Sequence, residues 1–175
     1  MTDPELVAGL KANEDMAYRE VVARYGDALY GYIFRITGDP HMSEDVLSDT
    51  YLRMIEHIDT YTHRGPAFKA WLYKIAHNSA LNALRRNRRS VATLDDNYAA
   101  PGSDPAHTVA AQLDAAELRT AVLELTEDQQ QVVLLRFIAG YTPGEVAAAI
   151  NKNENAVKQL QFRALRSLGR ILERK

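Results

Sequence analysis

Apolar residues recur at intervals of three and four along most of this chain, which is the spacing of one face of an α-helix. One such run is Phe68, Trp71, Leu72, Ile75 and Ala76. Runs of the same kind predict further helices near the N-terminus, after Thr126, and over residues 14–36, 40–58, 109–125, 143–150 and 153–175. The pattern predicts an all-α fold.

Residues that start and stop helices stand at the ends of these runs. A Thr followed three residues later by Glu or Gln predicts capping boxes at Thr2, Thr126 and Thr142. We expect Asn13 to cap the second helix, Gly38 to end it, and Pro66 to lie in the first turn of the helix that carries Trp71. Asn151 tolerates left-handed backbone angles and suits the turn between the last two helices.

Helical periodicity breaks between residues 90 and 108, where the chain reads SVATLDDNYAAPGSDPAHT. Two Pro, one Gly and several Ser, Thr, Asp and Asn residues favour an irregular conformation in this segment. The sequence therefore predicts two small helical domains, over residues 1–90 and 112–175, joined by a flexible linker over residues 91–111.

The composition of the 175-residue chain is that of a soluble globular protein, with 46% hydrophobic and 25% charged residues. It contains no cysteine, which excludes disulfides, thiolate zinc sites and thiol catalysis. No apolar run approaches the roughly 18–20 residues that span a bilayer, and the N-terminus lacks a signal-peptide pattern. We expect a cytoplasmic protein without membrane insertion.

No motif in the sequence predicts catalysis. The five histidines show no metal-ligand spacing, and there is neither a nucleophile elbow nor a phosphate-cradling glycine loop. We therefore expect a protein that is not an enzyme and that uses no metal, no cofactor and no small-molecule substrate.

Charge is segregated along the chain, although the net charge is only −2. Residues 1–60 hold 12 acidic and five basic residues, and residues 91–130 hold eight acidic and one basic. Residues 61–90 hold seven basic and no acidic residues, and residues 151–175 hold seven basic and two acidic. The two basic blocks predict two contacts with a polyanion, and the acidic blocks suit a basic partner. Solvated helix faces are the alternative explanation.

The C-terminal basic block belongs to a helix-turn-helix pattern. A short alanine-rich helix, a tight turn and a longer basic helix follow one another from Pro143 to the end of the chain. The second helix of such a motif presents its N-terminal side chains to the major groove of DNA. Candidates for contacts with bases and phosphates are Asn155, Lys158, Gln159, Phe162, Arg163 and Arg166.

Three segments, in order, resemble the extracytoplasmic-function sigma factors of bacterial RNA polymerase. RITGDPHMSEDVLSDTYLR is similar to region 2.1–2.2 of that family, and RGPAFKAWLYKIAHNSALNALRRNRR to regions 2.3–2.4. LTEDQQQVVLLRFIAGYTPGEVAAAINKNENAVKQLQFRALRSL is similar to region 4. Asn151 and Lys152 depart from the resemblance, because the family often has glycine and an apolar residue there. The resemblance implies a subunit that binds core polymerase and directs promoter recognition, −10 melting and transcription initiation.

The resemblance also implies which residues of the first domain meet the −10 promoter element. The loop before the Trp71 helix would capture an unstacked base, and the helix would follow the DNA upstream. The implied contacts are Tyr61, His63, Arg64, Phe68, Lys74, Asn78, Asn82, Arg85, Arg86, Arg88 and Arg89. Trp71 lies within the apolar stripe, so we expect it mainly to pack in the core.

Protein partners follow from the same resemblance. Asp45, Ser48 and Asp49 match the segment that docks on the β′ clamp helices, and a row of carboxylates suits an arginine-bearing coiled coil. The helix-turn-helix residues named above would read the −35 element. The implied partners are core RNA polymerase, through its β′ clamp helices and β flap, promoter DNA and an anti-sigma factor.

Two other classes of protein remain open on the sequence. An autonomous helix-turn-helix regulator with an N-terminal effector or dimerisation bundle would need a dimer, because one motif reads only a half-site. A protein-interaction module that sequesters a partner through its acidic face would leave the two basic helices without a role.

Overall fold

The computed structural model of the protein describes residues 1–62, 68–91 and 108–174, without the side chains of 88–91 and 108–114. The described residues form the predicted all-α fold. Its helices are α1 (Asp3–Lys11), α2 (Asp15–Thr37), α3 (Pro40–His57), α4 (Phe68–Val91), α5 (Thr108–Leu123), α6 (Glu127–Phe137), α7 (Pro143–Ala149) and α8 (Glu154–Leu172). A 3₁₀ turn, Ile58–Thr60, follows α3. Most of the predicted linker, and Pro66, lie outside the described residues.

Local sequence signals set most helix ends. The capping boxes at Thr2 and Thr142 are complete. At Thr126 the amide donates to the Gln129 side chain at 3.2 Å. Gly38 ends α2 with φ +70°, and Asn151 takes φ +55° in the turn between α7 and α8, as predicted.

The prediction that Asn13 caps α2 is wrong. Asn13 itself takes a left-handed conformation, with φ +56°, in the turn between α1 and α2. Glu14 stands at the N-cap of α2 and makes no capping hydrogen bond through its side chain. The Asn13 side chain instead accepts a hydrogen bond from the Tyr18 hydroxyl at 2.9 Å. Asn13 thus forms a tight turn, and the N-cap of α2 lies one position later than predicted, at Glu14.

The first core lies between α2, α3 and α4, with α1 packed across α2. Its largest fully buried side chains include Leu6, Leu29, Ile33, Met54 and Leu72. Each such side chain contributes on the order of 1.5–3 kcal/mol when it leaves water. The burial of this stripe fixes the rotation of α4 about its own axis, and hence the residues that α4 presents to solvent.

The two halves of the chain pack directly against each other, which the prediction of two tethered domains did not anticipate. Helices α6 and α7 contact α4. The rings of Tyr73 and Tyr141 meet edge to face, with their centroids 6.0 Å apart. The Lys69 ammonium lies 4.9 Å from the centroid of Tyr141 and 5.7 Å from that of Tyr73. The contact therefore combines aromatic burial with a cation held over two ring faces.

A second contact between the halves provides a hydrogen-bond donor to the C-terminal end of α2. The last carbonyls of a helix have no partner within it, and Arg119 of α5 donates from Nε to the Arg35 carbonyl at 3.2 Å. The guanidinium lies against Gly38, where an added Cβ atom would be only 2.5 Å from Nη1 of Arg119. Glycine at position 38 thus serves both the left-handed turn and the close approach of α5.

We expect Gly38→Ala to lower the free energy of unfolding by roughly 1–2 kcal/mol, the cost of placing an L side chain in left-handed backbone. Displacement of Arg119 would add to that loss. Gly31→Ala is the matched control on the same helix, because an added Cβ there meets only Nη1 of Arg35, at 3.6 Å. It should raise stability by about 0.5–1 kcal/mol, since alanine suits a helix interior. Urea unfolding measures both, and a Gly38→Ala protein as stable as the parent would contradict the expectation.

Candidate nucleic-acid interface

One side of α4 carries a polar stripe that faces solvent. Asn78, Asn82 and Arg85 are exposed, and their spacing of four and three residues places them on one helix face. Lys74 continues the stripe towards the start of the helix and is half-buried. Arg86 is also exposed, on the side nearer α3. The side chains of Arg88 and Arg89, which would extend the stripe, lie outside the described residues.

The opposite side of α4 is built into the core around a histidine. His77 is 1% exposed, and its Nδ1 atom lies 3.2 Å from the Tyr32 hydroxyl. Burial lowers the pKa of His77 to about 4, so the imidazole is neutral at neutral pH. His77 therefore belongs to the packing that orients α4 and is no part of its solvent-facing stripe.

An aromatic cluster lies where α4 begins. The ring centroids of Tyr61 and Trp71 are 5.1 Å apart, those of Phe68 and Trp71 5.7 Å, and those of Tyr61 and Phe68 5.9 Å. Tyr61 and Phe68 were both predicted to contact the −10 element; in this structure Tyr61 is 4% exposed and Phe68 0%. The rings are occupied by the protein's own core and support the loop. Trp71 is half-buried and packs against both rings.

His63 and Arg64, the other residues predicted for base capture, lie outside the described residues. The structure therefore describes the two ends of their loop. The chain leaves the core at Tyr61 and re-enters it at Phe68, and the contact between these two rings holds the ends of the loop together.

On the acidic surface of α3, some side chains are exposed to solvent and one carboxylate is hydrogen-bonded to an arginine of the same helix. Asp45 and Ser48 are exposed. Asp49 accepts a hydrogen bond from Nε of Arg53 at 2.8 Å and faces the groove between α3 and α4. Burial acts to raise the pKa of the Asp49 carboxyl, but the Arg53 hydrogen bond and the charges of Arg53 and Arg86 prevail and lower it. The carboxylate at position 49 is thus paired within α3, and it faces α4 across the groove that Arg86 also lines.

Two apolar side chains on α3 were missed in the sequence analysis. Leu52 is 60% exposed and Ile55 44%, and they share a helix face with Asp45 and Ser48 at intervals of three and four residues. Helical spacing could have revealed them, because Leu52 and Ile55 lie on a different side of α3 from the buried Val46 and Met54. The face is therefore acidic at one end and apolar at the other, a mixture suited to a protein partner.

The first turns of α8 project into solvent beside α7. All the side chains predicted to meet DNA there are exposed: Asn155, Lys158, Gln159, Phe162, Arg163 and Arg166. Phe162 is 66% exposed although it is apolar, while Val157 and Ala164 on the opposite face are buried. An exposed aromatic ring among cationic and amide side chains is a surface suited to a groove of DNA.

The turn between α7 and α8 forms despite its unusual residues. Lys152, where the family often has an apolar residue, donates from its amide to the Ala147 carbonyl at 2.9 Å. Its ammonium pairs with Asp128 of α6 at 2.9 Å. Asn153 then caps α8 by accepting from the Ala156 amide at 2.8 Å. The ion pair with α6 takes the place of apolar packing at this position.

Within the described part of the chain, no group of acidic or histidine side chains is arranged to hold a metal ion. Among the same residues, no helix has the length and apolar character needed to cross a membrane.

Comparison with known proteins decides the family. The family description Sigma-70 region 2 matches residues 21–90, and Sigma-70, region 4 matches residues 115–168. The chain is 38% identical over 173 residues to the ECF RNA polymerase sigma factor BldN of Streptomyces coelicolor, covering 96% of this chain and 65% of that protein. It is 30% identical over 156 residues to SigX of Bacillus subtilis, covering 85% and 80%. The chain belongs to the extracytoplasmic-function sigma factors.

Solved structures share the fold of this sigma factor. CnrH, in complex with the cytosolic domain of CnrY, superposes with a TM-score of 0.70 at 24% identity, over 99% of this chain and 98% of that one. RpoE of Bartonella quintana, in complex with the anti-sigma factor NepR, gives 0.60 at 22% identity, over 89% and 96%. As a sigma factor, the protein directs transcription initiation and is a regulatory protein.

We expect the stability of this sigma factor to fall as the pH drops from about 6.5 to about 4. The unfolded chain protonates His77 at the ordinary pKa while the folded chain keeps it neutral, so folding stability rises with pH across this window. The neutral, buried state of His77 thus makes a difference on the order of 3 kcal/mol to the free energy of unfolding. This difference is fully present above about pH 6.5 and is lost as the pH falls to about 4.

His77→Asn is the comparison for this titration, because an amide oxygen can still accept from Tyr32 but does not titrate. Urea unfolding at several pH values within the window should give a flatter pH dependence for His77→Asn than for the parent. Equal slopes would show that His77 is accessible to protons in the folded state.

Proposed function

We propose that this sigma factor binds core RNA polymerase through α3 and reads the −10 and −35 promoter elements with α4 and α8. The observation that carries the proposal is that α4 and α8 both bury an apolar face and expose amide and cationic side chains. Such side chains bond base edges and phosphates. We place this activity in the cytoplasm, where bacterial RNA polymerase works.

In the proposed −10 complex, the polar stripe of α4 lies along the duplex. Asn78 and Asn82 contact base edges, while Lys74, Arg85 and Arg86 contact phosphates, with Arg88 and Arg89 further along the helix. Extruding a base costs a few kcal/mol. His63 and Arg64 would offset that cost in the loop, and the buried rings of Tyr61 and Phe68 hold the loop ends.

In the proposed −35 complex, α8 enters the major groove by its first turns. Asn155, Lys158, Gln159 and Phe162 would face the bases. Arg163 and Arg166 lie one turn or more further along α8, where they would contact the phosphate backbone.

The proposed polymerase contact uses the mixed face of α3. Asp45 and Ser48 would meet the basic surface of the β′ clamp helices, and Leu52 and Ile55 would supply the apolar area that a stable interface needs. Asp49 would act from the edge of this face, because it is already paired with Arg53. The β flap would hold the second domain over the −35 element.

The closed packing of the two halves must open for both promoter elements to be held at once. The −10 and −35 elements lie about 25 base pairs apart, or roughly 85 Å along B-form DNA. In the structure, α4 instead contacts α7, and Tyr73 of α4 packs on Tyr141 in the segment just before α7. We propose that core polymerase separates the halves, so that the free protein binds promoter DNA weakly.

An apolar groove supports the proposal of an anti-sigma partner. It has a volume of about 370 Å³ and lies between the end of α2 and helices α5, α6 and α8. Leu118, Phe137 and Leu165 line it and are exposed. Arg35 and Arg119 stand in its lining, so an amphipathic helix with apolar and acidic residues would fit it. The solved CnrH and RpoE structures are complexes with CnrY and NepR.

Run-off transcription with core polymerase and a promoter library tests the proposed function. We expect transcripts only when the sigma factor is present, from templates that share two short elements at fixed spacing. Transcription that does not depend on the protein, together with tight specific DNA binding by a dimer, would favour an autonomous regulator.

Two single substitutions on α4 should separate base reading from charge. We expect Asn78→Ala to change which −10 sequences are selected, by about 1–3 kcal/mol at the affected base pair. Arg85→Ala should weaken all promoters by a similar factor and reduce the dependence of binding on salt by about one counterion. Binding of holoenzyme to selected promoters at several salt concentrations measures both. Identical effects of the two substitutions would contradict the division of roles.

Opening can be followed by energy transfer between two dyes. Because the chain has no cysteine, Glu56→Cys on α3 and Arg170→Cys on α8 provide unique labelling sites at exposed positions. We expect transfer to be efficient in the free protein and to fall on addition of core polymerase. Tyr141→Ala should lower it in the free protein as well, since the substitution removes the ring that packs on Tyr73 and Lys69. Unchanged transfer in transcriptionally active holoenzyme would contradict the need for opening.

A further inference from the structure

Helix α1 precedes the Sigma-70 region 2 match, which begins at residue 21, yet it is firmly built into the first core. Leu6 and Leu10 are buried. Arg24 of α2 pairs with Asp3 at 3.3 Å, and a Cβ atom on Gly9 would lie 2.9 Å from that of Ala17, so the two helices cross closely. The C-terminal end of α1 is therefore held at a defined place on the bundle.

Lys11, the last residue of α1, places its ammonium group against the 3₁₀ turn that follows α3. Its ammonium donates to the Tyr61 carbonyl at 2.9 Å and to the Asp59 carbonyl at 3.4 Å. Asp59 is the middle residue of the 3₁₀ turn Ile58–Thr60, and Tyr61 is the residue that follows the turn. A cation is favourable at the end of such a turn, where backbone carbonyls lack intrahelical partners.

Tyr61 is consequently fixed from two directions. Lys11 binds its backbone carbonyl, and the rings of Phe68 and Trp71 pack against its side chain. The peptide that begins the loop leading to His63 and Arg64 is the one whose carbonyl accepts from Lys11. A change in this hydrogen bond would shift the start of the loop without touching any residue that faces DNA.

We propose that Lys11 is a positioning residue for −10 recognition, acting through the Tyr61 carbonyl to set where the base-capturing loop leaves the core. This inference rests on the proposed function of that loop. Helix α1 thereby contributes to promoter recognition without contacting DNA.

Two other roles of Lys11 predict different behaviour. A lysine that merely attracts DNA would strengthen binding to every sequence equally, and its loss would leave base discrimination unchanged. A lysine that merely stabilises the fold would lower the unfolding midpoint when it is replaced, again without changing discrimination at temperatures where the protein is folded. Discrimination at the captured base is therefore the measurement that separates positioning from both.

The experiment uses reconstituted holoenzyme and fluorescein-labelled fork-junction DNA from a promoter selected by run-off transcription. The unpaired −10 strand carries either the selected base or an abasic site at the captured position. The ratio of the two dissociation constants gives the discrimination for the parent, Lys11→Met, Lys11→Arg and Arg19→Met. Arg19→Met is the matched control, because it removes one exposed positive charge from the neighbouring helix α2. Urea unfolding of each variant is measured alongside.

We expect Lys11→Met to reduce discrimination by about tenfold, within the range of one good base contact. Lys11→Arg, which retains a cationic donor, should keep most of the discrimination. Arg19→Met should discriminate as well as the parent. Lys11→Gln has a shorter donor and should reduce discrimination as Lys11→Met does. It is used in place of Lys11→Met if that variant does not fold. If the parent discriminates and Lys11→Met discriminates equally, the inference is wrong, even when binding is weaker overall. If the parent itself does not discriminate, the proposed function of the loop fails instead.

Discussion

Helix α4 is the element on which the rest of the structure depends, because each of its sides contacts something different: the first core, the second half of the chain, or solvent. Its apolar stripe, with Phe68, Leu72 and the neutral His77, is buried against the first core. A second side, with Lys69 and Tyr73, meets Tyr141 in the segment just before α7. What remains is the narrow polar stripe of Asn78 and Asn82. An α-helix turns 100° per residue, so a rotation by a single residue would place amides in the core and apolar side chains in solvent.

The closed packing of the two halves connects this local constraint to regulation. Among the described residues, one continuous cluster of buried apolar side chains joins the halves, and two tyrosines around Lys69 and the guanidinium of Arg119 over Gly38 add to it. Separation of the halves would expose apolar side chains of this cluster, so an interface with polymerase would have to offset that cost. The same closed state aligns α2, α5, α6 and α8 around the apolar groove. A partner that fills the groove would stabilise the closed state and oppose opening, since it binds only that conformation.

Sequence reasoning predicted which side chains of α4 and α8 would face solvent better than it predicted which apolar side chains would be buried. The stripe of α4 and the first turns of α8 follow directly from helical periodicity and charge, and their side chains are exposed as expected. The burial of Tyr61 and Phe68 was not predicted, because an aromatic residue next to a loop gives the same sequence pattern whether its ring faces DNA or the protein core. Leu52 and Ile55 were missed for the opposite reason, since apolar residues on a helix are by default assigned inward. Burial depends on neighbours that are distant in sequence, and periodicity carries no information about them.

By itself, the sequence determined the helices, most of their caps, the two basic blocks and the family of the protein. These features are local: a capping box, a left-handed Asn151 or a stripe of apolar residues acts within a few positions of the chain. The tertiary structure alone decided which face of each helix is covered, that Arg119 caps a helix of the other half, and that Lys11 reaches the Tyr61 carbonyl. Such contacts join residues 50 to 84 positions apart. They arise from the packing of whole helices, whose geometry is fixed only when all the buried faces are satisfied at once.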